Sequence, residues 1–201
     1  MKKILTAIQI VFLFLSFCAC TEEVTDIKSL LPQKEIIKSD KSDSPTDKMI
    51  YNSVEQLVMA SDCIIEGEVL DEGTVYSAYD EYLGTDCGMM YFKIKVLNII
   101  KGDNIADEII IAQQGASTDS IEVKYKKGEH IISFLYQLDN SIPGTEEYPY
   151  SYTSVSNEDG NFRVVQVEYN KKPVSVVQCF GSVNILQYDG KSLSDFLNLL
   201  K

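Results

Sequence analysis

The chain has 201 residues, of which 18 are basic and 30 acidic, and it carries a formal net charge of −12. With 45% hydrophobic and 24% charged residues it has the composition of a globular protein, which excludes a largely disordered chain. Its length favours one domain with short extensions and argues against a multidomain enzyme. The acidic balance argues against nucleic acid as a partner, because phosphate backbones are bound by clustered lysine and arginine.

Residues 1–20 have the features of a targeting segment and are left out of the fold. Lys2 and Lys3 give the segment a positive start, and an apolar stretch with a few polar interruptions runs over residues 4–17. A transmembrane helix needs about 20 apolar residues, so this stretch is too short to span a bilayer comfortably. The segment is therefore predicted to be a signal peptide.

The targeting segment ends in Phe17-Cys18-Ala19-Cys20, which resembles the lipobox of bacterial lipoproteins. In such proteins signal peptidase II cuts before a cysteine that follows a small residue, and the thiol then carries a diacylglycerol with acyl chains such as palmitate. The resemblance implies that Cys20 is lipidated and anchors the protein at the extracytoplasmic face of the cell membrane. An uncleaved anchor and an ordinary secretory signal are the alternatives, and both still export the chain.

Residues 21–48 are predicted to be a flexible tether. They mix acidic and basic residues with serine and proline, most densely over 39–45, and contain almost no aromatic side chain. Such a composition cannot bury enough apolar area to offset the entropy lost on ordering. As a coil of about 28 residues, the tether would hold the domain roughly 30 Å from the membrane.

Residues 49–201 are predicted to form one β-rich domain between two short helices. Ser53 and Gln56 form a capping box at the start of the first helix, and Ser192 begins the closing helix. Period-two alternation and turn residues between them favour a small antiparallel barrel or sandwich. Turn residues at 157–160 predict a hairpin. The predicted strands span 63–70 with a bulge at Gly67, 90–97, 108–113, 130–138, 152–156, 162–169, 174–180 and 182–188.

Three stretches of this domain resemble netrin-like modules, the family that includes the tissue inhibitors of metalloproteinases and many bacterial surface proteins. The similar stretches are 61–69, 96–102 and 125–135, so the resemblance covers about residues 50–138 and leaves 139–201 outside. It implies a five-stranded OB-type barrel. Protease inhibition is not implied, because those inhibitors bind zinc through a free N-terminal cysteine amine, which here would be removed or lipidated.

No catalytic or metal site is predicted, and no cofactor. His130 is the single histidine, it follows a turn at the start of an apolar strand, and no nucleophile elbow accompanies it. The domain cysteines Cys63, Cys87 and Cys179 form no Cys-x-x-Cys pair, and their odd number allows at most one disulfide, whose pairing the sequence leaves open. Cys63 is expected to pack as a small hydrophobic residue.

Tyrosines supply the candidate binding surface. Half of the 12 tyrosines lie in two stretches, one after the first strand and one before residue 153. Tyrosine is favoured in recognition surfaces because it offers a large area with little rotamer entropy to lose. The alternative is that these rings pack over an open end of the barrel. The candidate residues are Tyr76, Tyr79, Tyr82, Tyr148, Tyr150 and Tyr152.

The sequence thus predicts a membrane-anchored extracytoplasmic lipoprotein whose mainly β, OB-like domain is a non-catalytic binding module. Its expected partners are the membrane, through the lipid, and an envelope protein or peptide. Two alternatives remain open at this point. One is an envelope hydrolase that uses His130 or paired carboxylates, and the other is a passive structural component of the envelope.

Overall fold

We analysed a computed structural model of the chain, which describes residues 26–34, 51–80, 85–114, 124–137, 152–156, 159–181 and 184–201. Within these ranges lie two α-helices, eight strands and two short 3₁₀ helices, the latter at Ile27–Leu30 and Leu186–Tyr188. In chain order the main elements are α1 (Val54–Ala60), β1 (Cys63–Val69), β2 (Thr74–Asp80), β3 (Thr85–Lys101), β4 (Glu108–Gln114), β5 (His130–Gln137), β6 (Tyr152–Ser154), β7 (Asn161–Tyr169), β8 (Lys172–Cys179) and α2 (Leu193–Leu199).

Five of the strands close into a barrel in the order β1-β3-β4-β6-β5, and β5 pairs back onto β1. The β4–β6 pair is parallel and the other barrel pairs are antiparallel. The structure therefore confirms the predicted mainly β, OB-like barrel with one helix before it and one after it. The remaining strands extend the barrel, since β2 pairs with β3, β7 with β5, and β8 with β7.

Local sequence signals set both helices and the curvature of the barrel. Ser53 Oγ accepts a hydrogen bond from the backbone N–H of Gln56 at 3.4 Å, and Ser192 caps α2 in the same way. The pairing of β1 with β3 shifts register on either side of Glu66, which confirms a bulge next to Gly67. A side chain at Gly67 would meet Ile94 Cγ2 at 2.7 Å, so only glycine lets the two strands approach this closely.

Two apolar clusters share the strands β1 and β5. Ile65, Ile131 and Leu135 point into the barrel, where they pack with side chains of β3 and β4. Ile132 and Phe134 point the other way, into a second cluster formed with α1, β7, β8 and α2. Because both faces of β5 are buried, the strand reads as a continuous apolar run and not as an alternating one.

The structure corrects three predictions about strands. The stretch at 76–80 was expected in a loop, but it belongs to β2, which pairs with the first half of β3. The predicted hairpin of 152–169 is wrong, because β6 and β7 pair with successive parts of β5. The predicted strand at 182–188 is also wrong, since its last residues form a 3₁₀ helix. The hairpin lies between β7 and β8, where Asn170 and Lys171 have φ of 50° and 60°.

Residues 26–34, which we call the docked segment, lie against β8 and the loop after it. Gln178 Nε2 donates a hydrogen bond to the carbonyl oxygen of Pro32 at 2.7 Å. Lys34 Nζ lies 2.7 Å from Asp189 Oδ2, in an ion pair whose side chains are 23% and 15% exposed. Where the sequence predicts a free coil, the structure thus has residues 26–34 in polar contact with the domain. In the described ranges, no helix is long and apolar enough to cross a membrane.

Candidate functional site

The structure describes three of the six candidate tyrosines, Tyr76, Tyr79 and Tyr152. Tyr76 and Tyr79 lie in β2, where their backbones pair with Met89 and Asp86 of β3. Tyr152 begins β6 and is 5% exposed, so its ring packs in the barrel core and offers no open surface. The other candidates lie outside the described residues, and these are Cys20, Tyr82, Tyr148 and Tyr150.

In chain order, the tyrosine stretches lie in two connections between strands of the barrel. Tyr76, Tyr79 and Tyr82 belong to the β1–β3 connection, which we define as residues 70–84. Tyr148 and Tyr150 belong to the β5–β6 connection, residues 138–151. These connections follow the first and fourth strands of the barrel, counted along the chain.

Both described domain thiols are buried and free. Cys63 is 2% exposed in the barrel core, as predicted, and Cys179 is fully buried in the second cluster. Burial raises the pKa of the Cys63 thiol to about 11 and raises that of Cys179 as well. Thiols that are buried and protonated are poor nucleophiles, so both cysteines serve packing.

His130 is paired with a carboxylate. Its Nε2 atom lies 2.8 Å from Glu66 Oε1, across the β1–β5 pair, and the two side chains are 34% and 14% exposed. The partner of the ring in the described part of the chain is thus an acid and not a hydroxyl or thiol nucleophile. The pair ties the start of β5 to β1, which is the strand-end role that the sequence predicts.

A cleft of about 370 Å³ opens beside His130, between the docked segment and the strands β5, β7 and β8. Pro32 and Gln33 form its wall on the docked segment, and Gln178 reaches it from β8. A volume of this size suits a small molecule, since such sites typically measure about 300–1,000 Å³.

Arg163 of β7 is the cleft residue with the most fixed geometry. Its Nη2 donates to the carbonyl oxygen of Lys124 at 2.8 Å, and its Nε lies 2.8 Å from Glu129 Oε1. Its guanidinium stacks over the Phe180 ring, 4.4 Å from the ring centre. Three contacts from different elements therefore hold the guanidinium plane in place beside the cleft.

Glu129 is the carboxylate that compensates this charge. Burial raises the pKa of the Glu129 carboxyl, and the nearby Arg163 guanidinium opposes the shift without cancelling it. Both carboxylate oxygens are engaged, because Oε2 also accepts a hydrogen bond from the backbone N–H of Lys126 at 2.9 Å. Glu129 thus holds Arg163 and the turn before β5 together.

Sequence reasoning did not find this cleft. Its walls come from parts of the chain as far apart as Pro32 and Gln178, which lie 146 positions from each other. Arg163 occupies a polar position of an alternating strand, where an exposed side chain is the ordinary expectation. No group of three or more acidic, histidine or cysteine side chains that could hold a metal ion occurs among the described residues.

Comparison of the chain with protein-family models, with curated proteins and with solved structures found no match.

Proposed function

We propose that this chain is a bacterial lipoprotein, anchored through Cys20, whose OB-like domain is a non-catalytic binding module for an envelope protein or peptide. The observation that carries the proposal is the position of the tyrosines. In OB-type barrels, ligands bind the face of the second and third strands and the loops that follow the first and fourth strands. Here the β1–β3 connection, which includes strand β2, and the β5–β6 connection follow those strands and hold Tyr76, Tyr79, Tyr82, Tyr148 and Tyr150.

The outer face of the second half of β3 is accessible. Lys93 and Lys95 are exposed there, and Leu97 is 48% exposed. Exposed lysines and an exposed leucine suit a partner with acidic and apolar side chains. The resemblance to netrin-like modules supports the same reading of the barrel as a recognition domain.

The docked segment would bring the domain close to the membrane. With lipid on Cys20, residues 21–25 are the linker between the anchor and the docked segment. Five residues extend to at most about 18 Å, which is shorter than the reach of the free tether predicted from composition. The proposed partner is therefore a component found near the membrane surface.

Capture of the partner on living cells tests the binding role. We expect crosslinking of the tagged full-length protein to enrich one envelope protein, and the double variant Tyr148→Ala/Tyr150→Ala to lose it, because each removed ring takes away a rigid contact area. Tyr169→Ala is the matched control, since this half-buried ring lies at the far end of β7. Equal capture by all three proteins would contradict a tyrosine surface.

Metabolic labelling with a palmitate analogue tests the anchor. The full-length protein should take up label and sediment with membranes, whereas Cys20→Ser should do neither, because the predicted thiol is the acceptor of the lipid. Cys18→Ser is the control and should still be labelled. Labelling that survives Cys20→Ser and disappears in Cys18→Ser would refute the predicted anchor.

A further inference from the structure

Among the described residues, no tyrosine lines the cleft beside Arg163. Its strand walls come from the start of β5 and from β7 and β8, whereas β3 and β4 form the proposed recognition face. The recognition role proposed for the β3–β4 face therefore does not involve the cleft.

The charged side chains around the cleft favour a negatively charged ligand. The charged side chains that line it are Lys126, Arg163 and a single acid, Glu129, in a chain whose net charge is −12. His130 lines it as well and is paired with Glu66. Both oxygens of Glu129 are already engaged by Arg163 and by a backbone N–H. What the cleft offers a ligand is thus mainly positive charge and N–H donors, the groups that bind carboxylates and phosphates.

Arg163 is prepared for such a ligand. Its contacts with Lys124, Glu129 and Phe180 fix the side chain before any ligand arrives. A guanidinium held in this way loses little further entropy when it binds an anion, which is the advantage of a preorganised site.

We propose that this cleft is a binding site for a small anion, a carboxylate or a phosphate, and that the docked segment is one of its walls. Pro32 and Gln33 face the ligand space opposite Arg163 and Val164. A ligand that contacts both walls shifts the equilibrium towards the docked arrangement. Undocking then lowers the affinity for the ligand by the same factor. Anion binding would thereby hold residues 26–34 on the domain.

Calorimetric titration of the full-length protein in detergent tests the proposal, with succinate as the carboxylate probe and inorganic phosphate as the other. We expect one-to-one binding of at least one probe. Arg163→Gln and Lys126→Gln should each weaken it, about tenfold for the fixed guanidinium, because each removes a charge-assisted contact. Lys172→Gln is the matched control, since this exposed lysine lies at the far end of β8 and its loss should leave the affinity unchanged.

The variant Asp189→Asn distinguishes a role of the docked segment as a wall from a general effect of charge on anion binding. Asp189 Oδ1 accepts a hydrogen bond from the Cys179 N–H at 2.9 Å, which the amide oxygen of asparagine can still accept. The ion pair with Lys34 is lost in the variant. If the docked segment forms a wall, this variant weakens anion binding although it removes a negative charge nearby. Stronger binding would refute the wall.

Three results would overturn the anion site itself. The first is no saturable binding of either probe at millimolar concentration. The second is a loss in Lys172→Gln equal to that in the cleft variants, which would mean unspecific attraction. The third is full affinity in Lys126→Gln, a variant at an exposed side chain that should keep its fold even if Arg163→Gln does not. Because no tyrosine takes part, these outcomes are independent of partner capture.

Discussion

Replacing Phe196 with alanine should lower the free energy of unfolding by about 4 kcal/mol, the cost typical of deleting a buried aromatic ring. Phe196 is fully buried in α2, with its ring centre 4.8 Å from that of Phe162 and 6.0 Å from that of Tyr188. The alanine leaves a cavity where β7 and α2 meet. Urea unfolding of the full chain, followed by circular dichroism, measures the change.

Leu199→Ala is the control on the same helix. Leu199 is 40% exposed, so its loss should change the free energy of unfolding by less than about 1 kcal/mol. A similarly small effect of Phe196→Ala would contradict the second cluster. The result bears on domain organisation, because that cluster joins residues before 138, such as Val54 and Phe134, to the part of the chain outside the netrin-like resemblance.

Much of the barrel could be predicted because its signals are local. The alternation of β3, the cap at Ser53 and the glycine turns at Gly102 and Gly128, both with positive φ, need only neighbouring residues to be read. The hairpin prediction failed because the turn residues at 157–160 are only a local sequence signal, whereas β6 and β7 each pair with the distant strand β5. Strand β5 pairs with β6 through its last residues and with β7 through its first residues.

The candidate sites were harder to predict for the same reason. Arg163 gains its role from Lys124, Glu129 and Phe180, which meet only in the folded chain. The docked segment was predicted to be a coil because its composition is polar, and two polar contacts, at Gln178 and Asp189, hold it instead. Composition measures how much apolar area a segment can bury, but it does not reveal specific hydrogen bonds.

A second large loss of stability should follow from replacing Asn161 with leucine, about 3 kcal/mol or more. Asn161 is 2% exposed at the start of β7. Its Oδ1 accepts hydrogen bonds from the hydroxyls of Tyr125 and Ser133, and its Nδ2 donates to Ser154 Oγ at 2.9 Å and to the Ser156 carbonyl at 3.2 Å. Leucine keeps the branched shape of the side chain but removes these four hydrogen bonds from buried polar groups. Urea unfolding again measures the change.

Ser154→Ala is the comparison, because it removes one partner of Asn161 and leaves the amide its other contacts. This variant should lower the free energy of unfolding by about 1–2 kcal/mol. Burial raises the pKa of the Tyr125 hydroxyl above its ordinary value, so the group stays protonated as a donor and the network does not change between about pH 6 and 9. Equal effects of Asn161→Leu and Ser154→Ala would mean that Tyr125 and Ser133 satisfy each other without the amide. The network would then be a pair of hydroxyls at 2.6 Å and not a four-way junction between β5, β6 and β7.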